Sequence, residues 1–304
     1  MNKISPVGSV KLDTVLSAEL NQCVPEEVLK VTDAIRARHA DVVNAVLFYG
    51  SCVRRKNIAD AVLDFYVLIS SYRTFYQEYK NPLLLRWLNA ALPPNVFYIE
   101  VSTGLEVLRA KYAVITTADF EFGTTNRALS PLIWARFSQP TRLTFCRDGG
   151  ERERVVAAFG QAASTFVSVL LPIAASVRRG GEVRNSELWG IGFRETYRTE
   201  FRPERRKSIG ELFDTSPDRY DNIATLVLRQ LAIEGFPVQE VGRGAWQLLL
   251  GRPTRLRLRI FWIVQKFIAK SIYILRLLKT AITFKDWLPY VCLLYTSDAA
   301  DERS

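Results

Sequence analysis

The sequence predicts an α/β (α+β) fold, with a mixed sheet and helices over residues 1–150 and a mainly helical second domain over 151–250. Three observations carry this expectation. Short β-branched and aromatic runs alternate with helix-like segments as far as residue 150. From Glu151 the texture becomes rich in Ala and Val, with no turn signal before Pro172. After Arg252-Pro253 comes a basic, apolar stretch, 254–291, with helical periodicity.

The elements follow in order. Pro25 to His39 opens with a proline and two glutamates, then repeats Val28, Leu29, Val31 and Ile35 at near-helical spacing. Val42 to Tyr49 is a buried-strand pattern that stops at Gly50-Ser51. A basic segment separates it from a second strand, Val62 to Ile69. Ser70 to Leu92 reads as one helix broken by Pro93-Pro94, after which Val96 to Val101 and Lys111 to Ile115 read as third and fourth strands. In the second domain, Arg154 to Val177 and Tyr220 to Glu234 read as helices, the first of them buried. Glu187 to Lys207 is rich in arginine and aromatic residues.

Cys292 to Glu302 resembles the translation of a sequencing-library adapter, so residues 292–304 are expected to be non-native. Without them Lys and Arg number 40 and Asp and Glu 28, which raises the net charge from +10 to +12. That excess attracts polyanions: nucleic acid, anionic lipid or phosphorylated substrates. Cys23, Cys52 and Cys146 are too scattered for a disulfide framework or a zinc site. The single histidine, His39, lies in a charged stretch and reads as a solvated helix residue, which argues against Ser/His or Cys/His catalysis. The first 21 residues lack a signal-like apolar run, and no charge-free stretch of about 20 apolar residues is expected to span a membrane.

Chemistry concentrates at Tyr49-Gly50-Ser51 and at Asp64 on the next strand. A strand ending in Gly-Ser lets backbone approach phosphate closely, and serine adds a hydroxyl donor. A helix following the turn would aim N–H groups at the anion. A carboxylate on the adjacent strand reaches a metal bridging the phosphates. The residue two after Asp64, where a second carboxylate would be useful, is Tyr66. Glu100 on the third strand is the candidate second ligand and Asp60 the reserve. The 254–291 stretch adds a second theme. Arg255, Arg259, Lys266 and Lys270 fall within about 60° on a helical wheel, and apolar residues fill most of the remainder. A basic amphipathic helix with aromatic residues suits the surface of an anionic bilayer.

The strand, Gly-Ser turn and carboxylate resemble the polymerase-β-type nucleotidyltransferase superfamily. Lys111-Tyr112-Ala-Val-Ile115-Thr, Trp134-Ala-Arg136-Phe-Ser-Gln-Pro140, Val169-Leu-Leu-Pro172 and Arg194 to Arg202 resemble, in order and spacing, motifs of mitochondrial-type phosphatidate cytidylyltransferases. The resemblance covers roughly residues 40–290. It implies a nucleotidyltransferase-like sheet and a Mg2+-dependent transfer from CTP to phosphatidate, giving CDP-diacylglycerol for phospholipid biosynthesis. The enzyme would lie peripherally on the cytoplasmic face of a membrane, bacterial or, alternatively, the mitochondrial inner membrane. By resemblance, Gly50 and Ser51 hold the triphosphate, Asp64 and Glu100 the metal, and Asp64 and Lys111 serve catalysis. Arg136, Arg198 and Arg202 are expected at the phosphate of phosphatidate. Departures from the family pattern are Cys52, Ala113 and Thr199-Glu200. Two alternatives stay open: transfer to another acceptor (tRNA, a small molecule or a protein), and a non-catalytic relative that only docks to membrane or RNA. The amphipathic stretch weighs against nucleic acid as the partner.

Overall fold

The computed structural model describes residues 11–54, 58, 61–77, 82–104, 107–177, 181–199 and 213–283. Asp60, Glu200, Arg202, the end of the amphipathic stretch (284–291) and the 292–304 tail lie outside them. The fold is mixed α/β. Its main sheet has five strands: β1 (Val43–Tyr49), β2 (Val62–Ile69), β3 (Asn95–Ser102), β4 (Val107–Thr116) and β5 (Arg142–Cys146). Their spatial order is β3-β4-β2-β1-β5. β2 and β4 run parallel, and every other pair is antiparallel.

Both faces of the sheet are covered, which explains why β1, β2 and β4 read as near-continuous apolar runs. On one face Phe48, Phe65, Val67 and Tyr112 meet Val28, Val31 and Ile35 of α2 (Glu26–His39). On the other, Leu47, Tyr66, Leu68 and Ile115 join a core that continues through Phe166, Trp189 and Tyr220. Those three belong to α7 (Gly149–Val177), α8 (Asn185–Tyr197) and α9 (Pro217–Ile233). One apolar core therefore joins the sheet region to the helical region. By length and hydropathy α7 could cross a membrane, a property the sequence reading had not expected. Its most apolar window is 67% buried inside the fold, as befits a core helix.

Several expectations are corrected. The helix foreseen over 70–92 is two helices, α3 (Tyr72–Phe75) and α4 (Pro82–Ala91). Proline has no N–H to donate and suits a first turn, so Pro82 starts a helix where the periodicity suggested continuation. β5, a helix α1 (Leu12–Leu20) and a small sheet of β6 (Glu182–Arg184), β7 (Val238–Gly242) and β8 (Ala245–Leu248) were not anticipated. These strands are short, and β7 is mostly exposed, so none produces a strong hydrophobic period. Two short helices, α5 (Thr117–Thr124) and α6 (Leu132–Phe137), bridge β4 to β5.

His39 is not solvated. It is buried beside the rings of Phe75, Phe97 and Tyr112, and a ring nitrogen lies 2.9 Å from the Tyr112 hydroxyl. Burial, with Arg38 nearby, pushes its pKa down to about 4, so it stays neutral as a structural group.

The last helix, α10 (Arg252–Thr283), is tied down at three places. Trp262 Nε1 and Lys266 Nζ donate to Glu195 of α8 at 3.0 and 2.8 Å. Gln265 donates to the Ala128 carbonyl at 3.2 Å. Near the far end, Lys279 Nζ donates to the carbonyls of Leu92 and Pro94, between α4 and β3.

The α7–α8 crossing allows a sharp test. A Cβ added at Gly192 would lie 2.5 Å from the Phe166 ring and 2.9 Å from Leu170, whereas one at Gly190 meets nothing within 4 Å. Gly192→Ala should destabilise the protein by about 1–3 kcal/mol through overpacking. Gly190→Ala should be neutral or stabilising by up to about 1 kcal/mol, from helix propensity. Urea denaturation of the two variants distinguishes close packing from a loose interface, and equal midpoints would argue against it.

Candidate functional site

The centre of the site is the end of β1. Gly50 has φ +90°, a conformation that disfavours residues with a side chain. A Cβ at this position would sit 2.9 Å from Asp64 Oδ2 and 3.3 Å from Asp64 Cβ. Glycine is thus demanded twice, by backbone conformation and by the carboxylate lying against it. Sheet register produces this approach, since Asp64 is paired with Tyr49 on one side and Lys111 on the other.

The helix expected after the turn is only a single 3-10 turn, Ser51–Val53. The N–H groups of Val53 and Arg54 are spent on the carbonyls of Gly50 and Ser51. Little helix dipole is therefore available, and anion binding must come from side chains and the turn itself.

Lys111 supplies the nearest positive charge. It lies on β4, an interior strand, and its Nζ is 3.2 Å from Asp64 Oδ1. Both side chains are largely withdrawn from solvent, at 11% exposure for Lys111 and 18% for Asp64. The contact is an ion pair by distance, yet Oδ1 is buried and has no hydrogen bond among the described residues. An acceptor left in that condition is a ligand position in waiting.

Other predicted residues divide in two. Arg136, on the last turn of α6, stands 5.3 Å from the Tyr49 ring centroid and so borders the turn. Glu100 is not brought to Asp64. It sits two strands away, exposed, paired with Arg109 at 3.7 Å and accepting from Tyr98 at 3.0 Å. Arg198 is exposed and pairs at 2.8 Å with Glu195, the carboxylate that anchors α10. Among the described residues no hydrogen bond or ion pair links Arg198 to the Gly50 turn. Tyr66 is fully buried against Tyr49 and Phe137, so the position two after Asp64 belongs to the core.

Basic residues outside the initial candidates gather at the same end of the sheet. Arg54 follows the 3-10 turn, and its buried Nη1 has no hydrogen-bond partner among the described residues. Its charge reaches the Tyr220 phenol, which burial pushes up in pKa and which Arg219 and Arg54 pull down. The Tyr220 hydroxyl likewise lacks a partner among the described residues. Arg142, paired in register with Phe48, has its pKa lowered first by burial, with Glu19 opposing and Arg219 adding to the shift. Glu19 is held by Arg219 in a forked ion pair that also reaches the Ser138 carbonyl at 2.9 Å. One sequence signal marked Arg54: it belongs to the basic segment directly after Gly-Ser. Arg142 and Arg219 carried none, because only tertiary packing brings them near the turn.

Among the described residues no group of three or more His, Cys, Asp or Glu could hold a metal. Mg2+ keeps several waters and often takes one or two carboxylates together with substrate phosphates. The orphaned oxygen of Asp64 fits that lean donor set, with phosphate oxygens completing it. Without an anion, the site has one largely buried carboxylate paired to lysine and an excess of guanidinium groups, an arrangement suited to a polyphosphate.

No protein-family model matches the chain, and no curated protein matches it.

Arg54 distinguishes anion binding from a structural role. Replacing it by Met removes a buried donor that has nothing to bind, so the thermal midpoint should hold or rise. Affinity for inorganic triphosphate, measured by calorimetric titration, should fall at least about tenfold, the worth of one charge-assisted hydrogen bond. A lowered midpoint with unchanged triphosphate affinity would remove Arg54 from the site.

Proposed function

We propose that this chain is a phosphatidate cytidylyltransferase, converting CTP and phosphatidate to CDP-diacylglycerol and pyrophosphate at a membrane surface. The observation that carries this reading is the Asp64 carboxylate resting on the side-chain-free Gly50 turn, with Lys111 beside it. Colinear motif resemblance supplies the cytidine and the lipid acceptor.

In this reading the triphosphate lies along the turn at Gly50 and Ser51. Arg54 and Arg136 would neutralise its charge. Mg2+, if bound with the nucleotide, would supply Lewis-acid stabilisation of the charge on the reacting phosphate. Asp64 would hold it, and no second protein carboxylate is required where phosphates and water complete the shell. Lys111, beside Asp64, would counter charge on the leaving pyrophosphate. A phosphate oxygen of phosphatidate attacks the α-phosphorus of CTP; the new P–O bond forms as the bond from the α-phosphorus to the bridging oxygen breaks. The nucleophile is already anionic at neutral pH, so no general base is needed, consistent with a neutral, buried His39.

Membrane contact would come through α10. Trp262, Gln265 and Ala269 are buried on one side of it. Ile260, Phe267, Ile274 and Leu278 point the opposite way and are exposed. The helix contains no acidic residue. Such a face suits the boundary of an anionic bilayer, where the lipid substrate resides.

Labelled CTP, Mg2+ and phosphatidate vesicles provide the test. Wild-type protein should form CDP-diacylglycerol, and Asp64→Asn should lower turnover by at least about a thousandfold while circular dichroism stays native. Transfer only to RNA, protein or a small molecule would exclude the lipid acceptor. Retained turnover in Asp64→Asn would exclude the assigned chemistry.

A further inference from the structure

We infer that α4 is a second lipid-contacting element, forming with α10 one composite surface that inserts into the headgroup region of an anionic bilayer. This rests on the membrane reading of α10 and adds to it a separate helix from the sheet region.

α4 presents an apolar face that is unpartnered among the described residues. At 100° per residue, Leu83, Leu84, Trp87, Ala90 and Ala91 fall within about 120° of arc. All five are exposed, Trp87 at 68% and Leu83 at 63%. The opposite side, through Leu85, packs toward the core beneath the sheet. A tryptophan and two leucines standing in water on a ten-residue helix are an unusual concentration of apolar surface.

The end of α4 is tied to α10. Lys279, buried to 3% exposure, donates to the Leu92 carbonyl just beyond α4 and to Pro94 at 3.1 Å. Leu278, immediately before it, lies on the exposed apolar face of α10. That face is opposite the buried Trp262–Gln265–Ala269 side, and includes Phe267 at 69% exposure. With Glu195, Ala128 and Leu92 each gripping α10, the helix cannot turn this face inward without breaking its anchors.

Charge selects the occupant. Neither α4 nor α10 contains an aspartate or glutamate. Arg255, Arg259, Lys266 and Lys270 border one side of the α10 apolar face, and Arg86 flanks that of α4. A second copy of the chain would bring like charges together. Anionic lipid meets the basic border with headgroups and the apolar face with acyl chains. An exposed tryptophan beside arginine suits the headgroup level.

The test uses the full chain with phosphatidylcholine vesicles, with and without phosphatidylglycerol, an anionic lipid that is not the proposed substrate. Leu84→Glu/Trp87→Glu should weaken co-sedimentation with anionic vesicles at least about tenfold, while Phe261→Glu/Phe267→Glu reports on α10 alone. Trp87→Phe should keep binding but reduce the blue shift of tryptophan emission on vesicle addition. If the α4 pair binds vesicles like wild type and only the α10 pair is impaired, the α4 inference is overturned and the membrane reading stands. If wild type does not bind anionic vesicles at all, both fall. If the α4 pair alters self-association in sedimentation velocity but not vesicle binding, the face is a contact between copies, and the inference is overturned.

Discussion

The structure around the candidate site depends on one absent side chain. Gly50 holds a backbone conformation that favours glycine, and the space a Cβ would fill contains the Asp64 carboxylate. Everything else at the site is arranged around that approach: Lys111 balances the acid, Tyr49 and Arg136 border the turn, and Arg54 brings in a donor without an acceptor. A buried acid oxygen with only the Lys111 charge beside it, and a buried guanidinium nitrogen with no acceptor among the described residues, are costly in a ligand-free protein. They are what a charged, metal-bearing ligand would relieve.

The site is held by a core that does not respect the boundary between sheet and helices. Tyr66 and Phe137 beneath Tyr49 belong to the same apolar cluster as Phe166 and Trp189 of the helical region. Residues near the turn therefore come from many parts of the chain: β1 and the loop after it, Asp64 of β2, Lys111 of β4, α6, Arg142 of β5, and the start of α9 with Tyr220. The anchors of α10 extend this linkage, because Glu195 and Leu92 fix one helix to both regions. A face presented by α10 is consequently fixed in orientation relative to the Gly50 turn.

Much of the frame was legible in the sequence. β1 and β2 were placed within a residue because burial on both faces makes them unbroken apolar runs, and the approach of Asp64 to Gly50 followed from their adjacency. Lys111 was found through motif resemblance. Glu100 was not brought to Asp64, because residue spacing gives a strand's faces but not how many strands separate two acids. His39 was misread because its neighbours in sequence are charged while its neighbours in space, Phe75, Phe97 and Tyr112, are aromatic. The single long helix over 70–92 failed at Pro82, where helix-like composition on both sides concealed a fresh start. Arg142 and Arg219 were invisible, since nothing local marks a residue whose role depends on packing between α9 and the sheet.

At its core lies the claim that the Gly50 turn and the Asp64 carboxylate together hold a metal–triphosphate. Binding of Mn2+ in place of Mg2+, followed by electron paramagnetic resonance with and without CTP, probes it without reference to any acceptor. The wild-type protein should take up Mn2+ tightly only when CTP is present, and Asp64→Asn should lose that nucleotide-dependent uptake. Equal Mn2+–CTP binding by the two proteins would contradict the account.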